Sequence, residues 1–297
     1  MENIDGVTEH IRNKCPDRVN LHFHHTEDRK TYIIDGDNFW RMTNYIPSVT
    51  YNSVQDPAVL RNAGMAFGEV QNQLADFDPA RLHETIPNFH NTRSRYENLI
   101  ASIQANKAGR VEEAKEEIDW LLAHQDLACK LTDLQAEGKL PLRVTHNDTK
   151  INNVLFDKED NSALVVIDLD TVMPGSVLYD FGDAIRFGAN TAAEDETDLS
   201  KISLDLNLFR VYAKGFLEGC NGSLTPTEID LLPEGAIMMT LECGLRFLTD
   251  HLEGDVYFRI HRENHNLDRA RNQFALVADM EKKLGEMKKI VRELANG

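Results

Sequence analysis

Along most of the chain, apolar residues recur at spacings of three and four. Val59, Leu60, Ala63, Phe67, Val70, Leu74 and Phe77 place one apolar stripe on a helix that begins after Asp56-Pro57. A second helix is predicted from about Val111 to Ala136, with Ile118, Leu121, Leu122, Leu127, Leu131 and Leu134 turned inward and Gly138 ending it. Residues 3–13 read as a short helix, and helical periodicity returns around 204–218, 226–251 and 265–293. Strand patterns are confined to two places. At the front, Leu21–His24 and Thr31–Ile34 have aromatic and β-branched content, Asp35-Gly36 is a two-residue hairpin signal, and Asn38–Met42 returns. In the middle, Asn153–Asp157 and Ala163–Ile167 flank the polar turn Lys158–Asn161. Strands at the front and helices behind imply an α+β chain.

The loop before the middle hairpin carries the chemistry. His146-Asn147-Asp148-Thr149-Lys150-Ile151-Asn152-Asn153 has the order H-x-D-x-x-x-x-N, and Asp168 follows the apolar run Leu164–Ile167. An antiparallel hairpin carries Asp168 back beside Asn153, so an amide oxygen and a carboxylate converge on a hard, oxygen-rich site suited to Mg²⁺ on nucleotide phosphates. Asp148 is then left to orient an acceptor hydroxyl and take its proton. Lys150 stands where it can stabilise charge on a transferred phosphoryl group, and His146 is expected to brace the loop. The implied fold is protein-kinase-like, with an incomplete β-rich N-lobe and a mainly helical C-lobe. Residues 1–47 would form the first lobe and hinge, and residues 48–297 the second. In such a chain the linker near residues 43–48 offers the Tyr45 and Ile46 backbone to an adenine edge, although the same residues also read as a hairpin followed by a loop.

A literal Asp180-Phe181-Gly182 lies too far beyond the hairpin to make the return that Asp168 makes. Asp180 and Asp183 are expected to cap the next helix or to anchor the loop. Asp170 either supports the site from behind or faces away.

Composition narrows the partners. The chain has 32 basic and 49 acidic side chains and a net charge of −17, which disfavours nucleic acid and anionic membrane surfaces. Cys15, Cys129, Cys220 and Cys243 are scattered, with no C-x-x-C pair, and fit a reducing cytoplasm. No signal peptide or spanning apolar run is evident. The expectation is a cytoplasmic monomer that uses ATP and Mg²⁺.

The stretches Thr145–Val154, Val166–Gly175, Leu178–Asp183 and Arg246–Phe258 resemble the N-acetylhexosamine 1-kinases, anomeric kinases within the aminoglycoside phosphotransferase superfamily, and the likeness covers essentially the whole chain. The superfamily alone leaves choline, homoserine, aminoglycosides and methylthioribose open as acceptors. The longer matches imply phosphorylation of N-acetylglucosamine or N-acetylgalactosamine at the C1 hydroxyl. By this resemblance Asp148 is the base, Asn153 and Asp168 hold metal, and Arg246 and Tyr257 bind sugar together with Asp148. Read as residues alone, Arg246 also fits a surface ion pair and Tyr257 a core tyrosine. His24, His25, Phe89 and His90 are weaker candidates, because a lone His or aromatic is more often structural.

The front departs from the family pattern. No G-x-G-x-x-G lies between Met1 and Tyr45, and no strand Lys with a helix Glu partner is recognisable. The expectation is a chain that starts inside the N-terminal lobe, through a misplaced start, a gene fragment or a truncated product. This brings in a second hypothesis, a noncatalytic sugar- or nucleotide-binding remnant.

Overall fold

The computed structural model describes residues 1–54 and 56–297. The predicted front helix is α1 (Glu2–Lys14). The Asn3 side chain ties it inward, with Nδ2 donating to the carbonyls of His83 and Val172, both at 2.8 Å. The front strands are shorter than the pattern predicts. β1 (Ile33–Asp35) pairs with β2 (Asn38–Trp40), and the two-residue loop between paired Asp35 and Asn38 is Gly36-Asp37, one residue later than Asp35-Gly36. Gly36 takes φ +60°, and its missing Cβ allows the turn to centre there. Leu21–His24 contributes only one bridge, Phe23 opposite Thr43. With few partners to bury them, both faces of the hairpin stay exposed, Phe39 at 70% on one and Trp40 at 58% on the other.

Helix α2 (Pro57–Gln73) begins where the Asp56-Pro57 signal puts it, with Asp56 accepting from the Ala58 amide. It packs on α7 (Leu206–Cys220) through two glycines on each helix. A Cβ at Gly68 would collide with the Phe216 carbonyl, one at Gly215 with the Arg61 carbonyl, and one at Gly219 with the Met65 carbonyl. These are backbone atoms that cannot swing aside. Gly215→Ala is therefore expected to impose strain of about 1–3 kcal/mol, at the upper end of that range. This exceeds the ~1 kcal/mol that Ala gains over Gly inside a helix, so the urea midpoint should fall. An unchanged or raised midpoint would refute the close crossing.

The helix predicted over 111–136 is two helices, α4 (Lys115–Ala123) and α5 (Gln125–Ala136). His124 makes the break: its Nδ1 bonds the Trp120 carbonyl at 2.7 Å, while its own amide turns to Leu121. The imidazole thus takes the acceptor that the His124 amide itself would have used had the helix continued. Ile118, Leu121 and Leu131 are buried as predicted, whereas Leu122, on α4 ahead of the break, is exposed. Helix α3 (Thr92–Ala105) has no counterpart in the periodicity reading.

Beyond α5 come β3 (Arg143–Thr145), β4 (Val154–Phe156), β5 (Ala163–Val166) and β6 (Met173–Gly175), joined as the antiparallel pairs β3–β6 and β4–β5. Helix α6 (Val177–Gly188) follows. α7, α8 (Pro226–Glu253) and α9 (His265–Ala295) then form the helical body, at the places their periodicity marks. α8 is buried along most of its length between α6 and α9. Its start carries a capping box, Thr225 with Glu228. Among the described residues no helix is long and apolar enough to cross a membrane. The architecture is α+β and kinase-like, with small sheets in front of a helical C-lobe.

Candidate functional site

The loop 146–153 is built around one buried carboxylate. Asp180 on α6 accepts from the amides of His146 (2.9 Å) and Asn147 (2.8 Å) and from Gln71 Nε2 (3.1 Å). Thr149 Oγ1 donates to the Asp180 carbonyl at 2.6 Å. Burial pushes the Asp180 pKa up, opposed by His146 and by the two amide donors. Of the two uses expected of it, Asp180 takes that of anchor, since Ser176 caps α6. Asp183 instead pairs with Arg186 at 2.9 Å; burial alone would raise its pKa, and the guanidinium reverses this and holds it below the usual range.

His146 braces the loop from the other side. Nε2 donates to the Ile167 carbonyl at 2.9 Å, Nδ1 accepts from the Asp148 amide at 3.2 Å, and the ring meets Phe67 edge-on. Asp148 therefore sits on a fixed backbone while its carboxylate remains partly exposed. Its Oδ1 is 2.7 Å from Lys150 Nζ. Burial alone would lower the Lys150 pKa, but the Asp148 carboxylate outweighs it and holds the ammonium above its ordinary value. Asn153 Nδ2 donates to the Asp148 carbonyl at 2.9 Å, leaving Oδ1 as that amide's acceptor.

The hairpin makes the predicted return. Val154 lies opposite Val166, and the Ile167 amide donates to the Asn153 carbonyl at 2.9 Å. Asp168 follows at once, exposed, with φ +60° and ψ +55°. A non-glycine residue in this region is uncommon and mildly strained, and such residues cluster at functional sites. Among the described residues Asp168 has no ion-pair partner. Asp170 is paired with Arg41 from the front segment, which settles its direction. An amide oxygen and an unpaired carboxylate are hard donors of the kind Mg²⁺ takes.

The linker lies against the same hairpin. Val49 and Phe156 exchange both backbone hydrogen bonds at 2.9 Å. Just before them Ile46 is buried and Tyr45 is 84% exposed.

Arg246 and Tyr257 meet in a second cluster. Arg246 donates to the Tyr257 hydroxyl at 3.4 Å, and its guanidinium lies 5.3–5.7 Å from the ring centres of Phe89, Tyr257 and Phe258. Neither bland alternative describes them: Arg246 has no carboxylate partner among the described residues, and Tyr257 is exposed. Both line a cavity of about 480 Å³ between α3 and the end of α8, a size that suits a small ligand. Asp250 shapes the rim by accepting from the Val256, Tyr257 and Phe258 amides at 2.8–2.9 Å.

Phe89 and His90 join the two clusters. Their rings are 4.5 Å apart, Phe89 underlies Arg246, and His90 Nε2 lies 3.4 Å from the Asn147 carbonyl. His90 Nδ1 is held by Glu242 at 2.7 Å. His25 pairs with Asp5 on α1 at 2.7 Å. Periodicity missed Arg95, which reaches the same cavity from α3. Tyr96, Leu99 and Ser102 behind the Asn91 cap were its signal.

Near the rim, His251 is fully buried and contacts Arg110 and Glu113. Burial first, then the Arg110 charge, lowers its pKa below the ordinary 6.5. Between 6.5 and that lower value the unfolded chain binds more protons, so stability rises with pH through this window and is lost as pH falls through it. Urea titrations of His251→Gln are expected to show a shallower acid loss than the wild type. An equal slope would remove His251 as its source.

A loop braced on a buried aspartate is thus followed by a hairpin that returns an exposed carboxylate beside it. The phosphotransferase enzyme family matches residues 14–209, and the chain belongs to that family of small-molecule phosphotransferases. Solved structures agree on the fold. An aminoglycoside phosphotransferase from Alicyclobacillus acidocaldarius is 13% identical, with 98% of this chain and 82% of that one covered and a TM-score of 0.60. A microcompartment-associated aminopropanol kinase is 14% identical, covering 97% and 82%, at 0.57. A choline/ethanolamine kinase family protein from Mesorhizobium loti is 14% identical, covering 99% and 84%, at 0.53.

Proposed function

We propose that the chain transfers the terminal phosphoryl group of ATP to the anomeric C1 hydroxyl of N-acetylglucosamine or N-acetylgalactosamine. The observation that carries phosphoryl transfer is the juxtaposition of Asp148, Lys150 and Asn153 on a braced loop with unpaired Asp168 returned beside it. Asp148 orients the acceptor hydroxyl and accepts its proton as the acceptor oxygen bonds to phosphorus and the bond to the ADP oxygen breaks. Lys150 stabilises charge on the phosphoryl oxygens. Asn153 Oδ1 and the Asp168 carboxylate would hold Mg²⁺, which when bound neutralises phosphate charge. The Tyr45 and Ile46 backbone meets the adenine edge, with residues 1–47 acting as the front lobe and hinge and 48–297 as the lobe that binds acceptor.

The sugar assignment rests on the likeness of residues 246–258 to the N-acetylhexosamine 1-kinases, supported by the Arg246–Tyr257 cavity. Tyr257 and the neighbouring aromatic rings offer faces to a pyranose, and the Arg246 guanidinium offers donors to its oxygens. The reaction is tested by incubating the protein with ATP, Mg²⁺ and each sugar and reading the product by phosphorus NMR, where an anomeric phosphate is expected. Phosphate on the C6 hydroxymethyl group, or turnover only of choline or an aminoglycoside, overturns the assignment.

A further inference from the structure

The Arg246 cavity contains a second guanidinium. Arg95 stands on α3, facing α8 across the cavity, and among the described residues its side chain makes a single hydrogen bond, from Nη2 to the Phe89 carbonyl at 2.8 Å. Its Nε is buried with no hydrogen-bond partner among the described residues. A buried, unsatisfied donor is costly unless something else meets it. Neither Arg95 nor Arg246 forms an ion pair among the described residues. Of the carboxylates at hand, Asp250 holds the three rim amides and Glu253 accepts from Ser102 Oγ at 2.8 Å, while Glu242 holds His90 through Oε1, leaves Oε2 without a hydrogen-bond partner among the described residues, and acts on Arg95 only through its field. Burial, then the Arg246 charge, holds the Arg95 pKa below its ordinary value, so the two cations sense each other.

We infer that Arg95 is a further specificity-determining residue, which together with Arg246 selects an acceptor presenting carbonyl, hydroxyl or carboxylate oxygens and rejects one carrying an ammonium group. This rests on the acceptor cavity proposed above. Two unpaired guanidiniums supply donors in excess of acceptors, which a carbonyl such as that of an acetamido group relieves. An ammonium there would meet two like charges in a partly desolvated pocket and bring no acceptor of its own, so the rejection is built in as repulsion as well as lost attraction. The Arg95 contact to the Phe89 carbonyl also ties the selecting group to the segment that reaches Asn147.

The test is calorimetric titration of the full chain with N-acetylglucosamine and with glucosamine, which carries an amine where the first has an acetamide, at a pH below that amine's pKa. Wild type is expected to bind the acetamide at least about tenfold more tightly. Arg95→Gln should narrow that ratio several-fold, and Arg95→Lys, which keeps the charge, should retain most of it. An unchanged ratio in Arg95→Gln, with N-acetylglucosamine still bound and still phosphorylated, overturns this inference and leaves the proposed reaction standing. If the product proves to be the phosphate of another uncharged or acidic acceptor, and Arg95→Gln narrows its advantage over the amino analogue, the sugar assignment falls and this inference stands. Tighter binding of glucosamine or choline than of N-acetylglucosamine overturns the inference directly.

Discussion

Replacing Asp148 by Asn is expected to lower kcat by about 10²–10⁴-fold, the range that a positioned proton acceptor supplies, while nucleotide affinity stays close to wild type. The substitution keeps the side chain's size and leaves the backbone bonds to His146 and Asn153 in place. What it removes is the carboxylate that holds Lys150 Nζ at 2.7 Å and that the proposed reaction uses to accept the proton. Asp168→Asn should behave differently. Its carboxylate has no hydrogen-bond or ion-pair partner to lose among the described residues, so the fold should be spared, whereas magnesium-dependent nucleotide affinity should drop about tenfold or more. Nucleotide titrations with and without Mg²⁺, beside steady-state rates, separate the two. Equal loss of nucleotide affinity in both variants would mean that they share a folding defect, and the division of roles would fail.

The parts of this protein that the sequence makes legible are those whose partners are close in the chain. The 146–153 loop and its hairpin depend on β4 and β5, joined by a short polar turn, so the return of Asp168 to Asn153 follows from strand pairing alone. The Asp56-Pro57 helix start and the three C-terminal helices are equally local. The failures have tertiary causes. The break at His124 comes from an imidazole that competes with the backbone for the Trp120 carbonyl, which periodicity cannot register. Helix α3 was missed because its buried face mixes Tyr96 and Leu99 with Thr92 and Ser102, the last spent on Glu253 from α8. Arg95 went unnoticed with the helix that carries it. The front strands shrank because strand propensity without neighbouring strands leaves Ile33, Phe39 and Trp40 exposed. Arg246 and Tyr257 were marked only through resemblance, since the spacing between them says nothing of the Asp250 clamp that turns Tyr257 back towards Arg246.

Asp180 is where fold and chemistry are most tightly coupled, and its removal should have the largest combined effect. Asp180→Ala leaves the His146 and Asn147 amides and Gln71 Nε2 without the carboxylate they share. At about 1–3 kcal/mol for each buried donor left unsatisfied, and with some relief from deleting a carboxylate whose charged form burial disfavours, a net loss of about 2–4 kcal/mol is expected. Asn147 sits at φ +67°, a backbone state that the Asp180 bond helps to hold, so the loop should relax and carry Asp148 out of register. Asp180→Asn is the sharper probe. Its Oδ1 can satisfy one amide, but its NH₂ group must then face another N–H, so stability should recover only in part and turnover should stay low. Urea unfolding and steady-state rates of both variants test this together. A variant with wild-type stability would show that the loop is held instead by His146 and by Thr171, whose Oγ1 donates to the His146 carbonyl at 2.7 Å and whose carbonyl accepts from Asn147 Nδ2 at 2.9 Å; one that is destabilised yet turns over normally would show that Asp180 supports the fold without positioning Asp148.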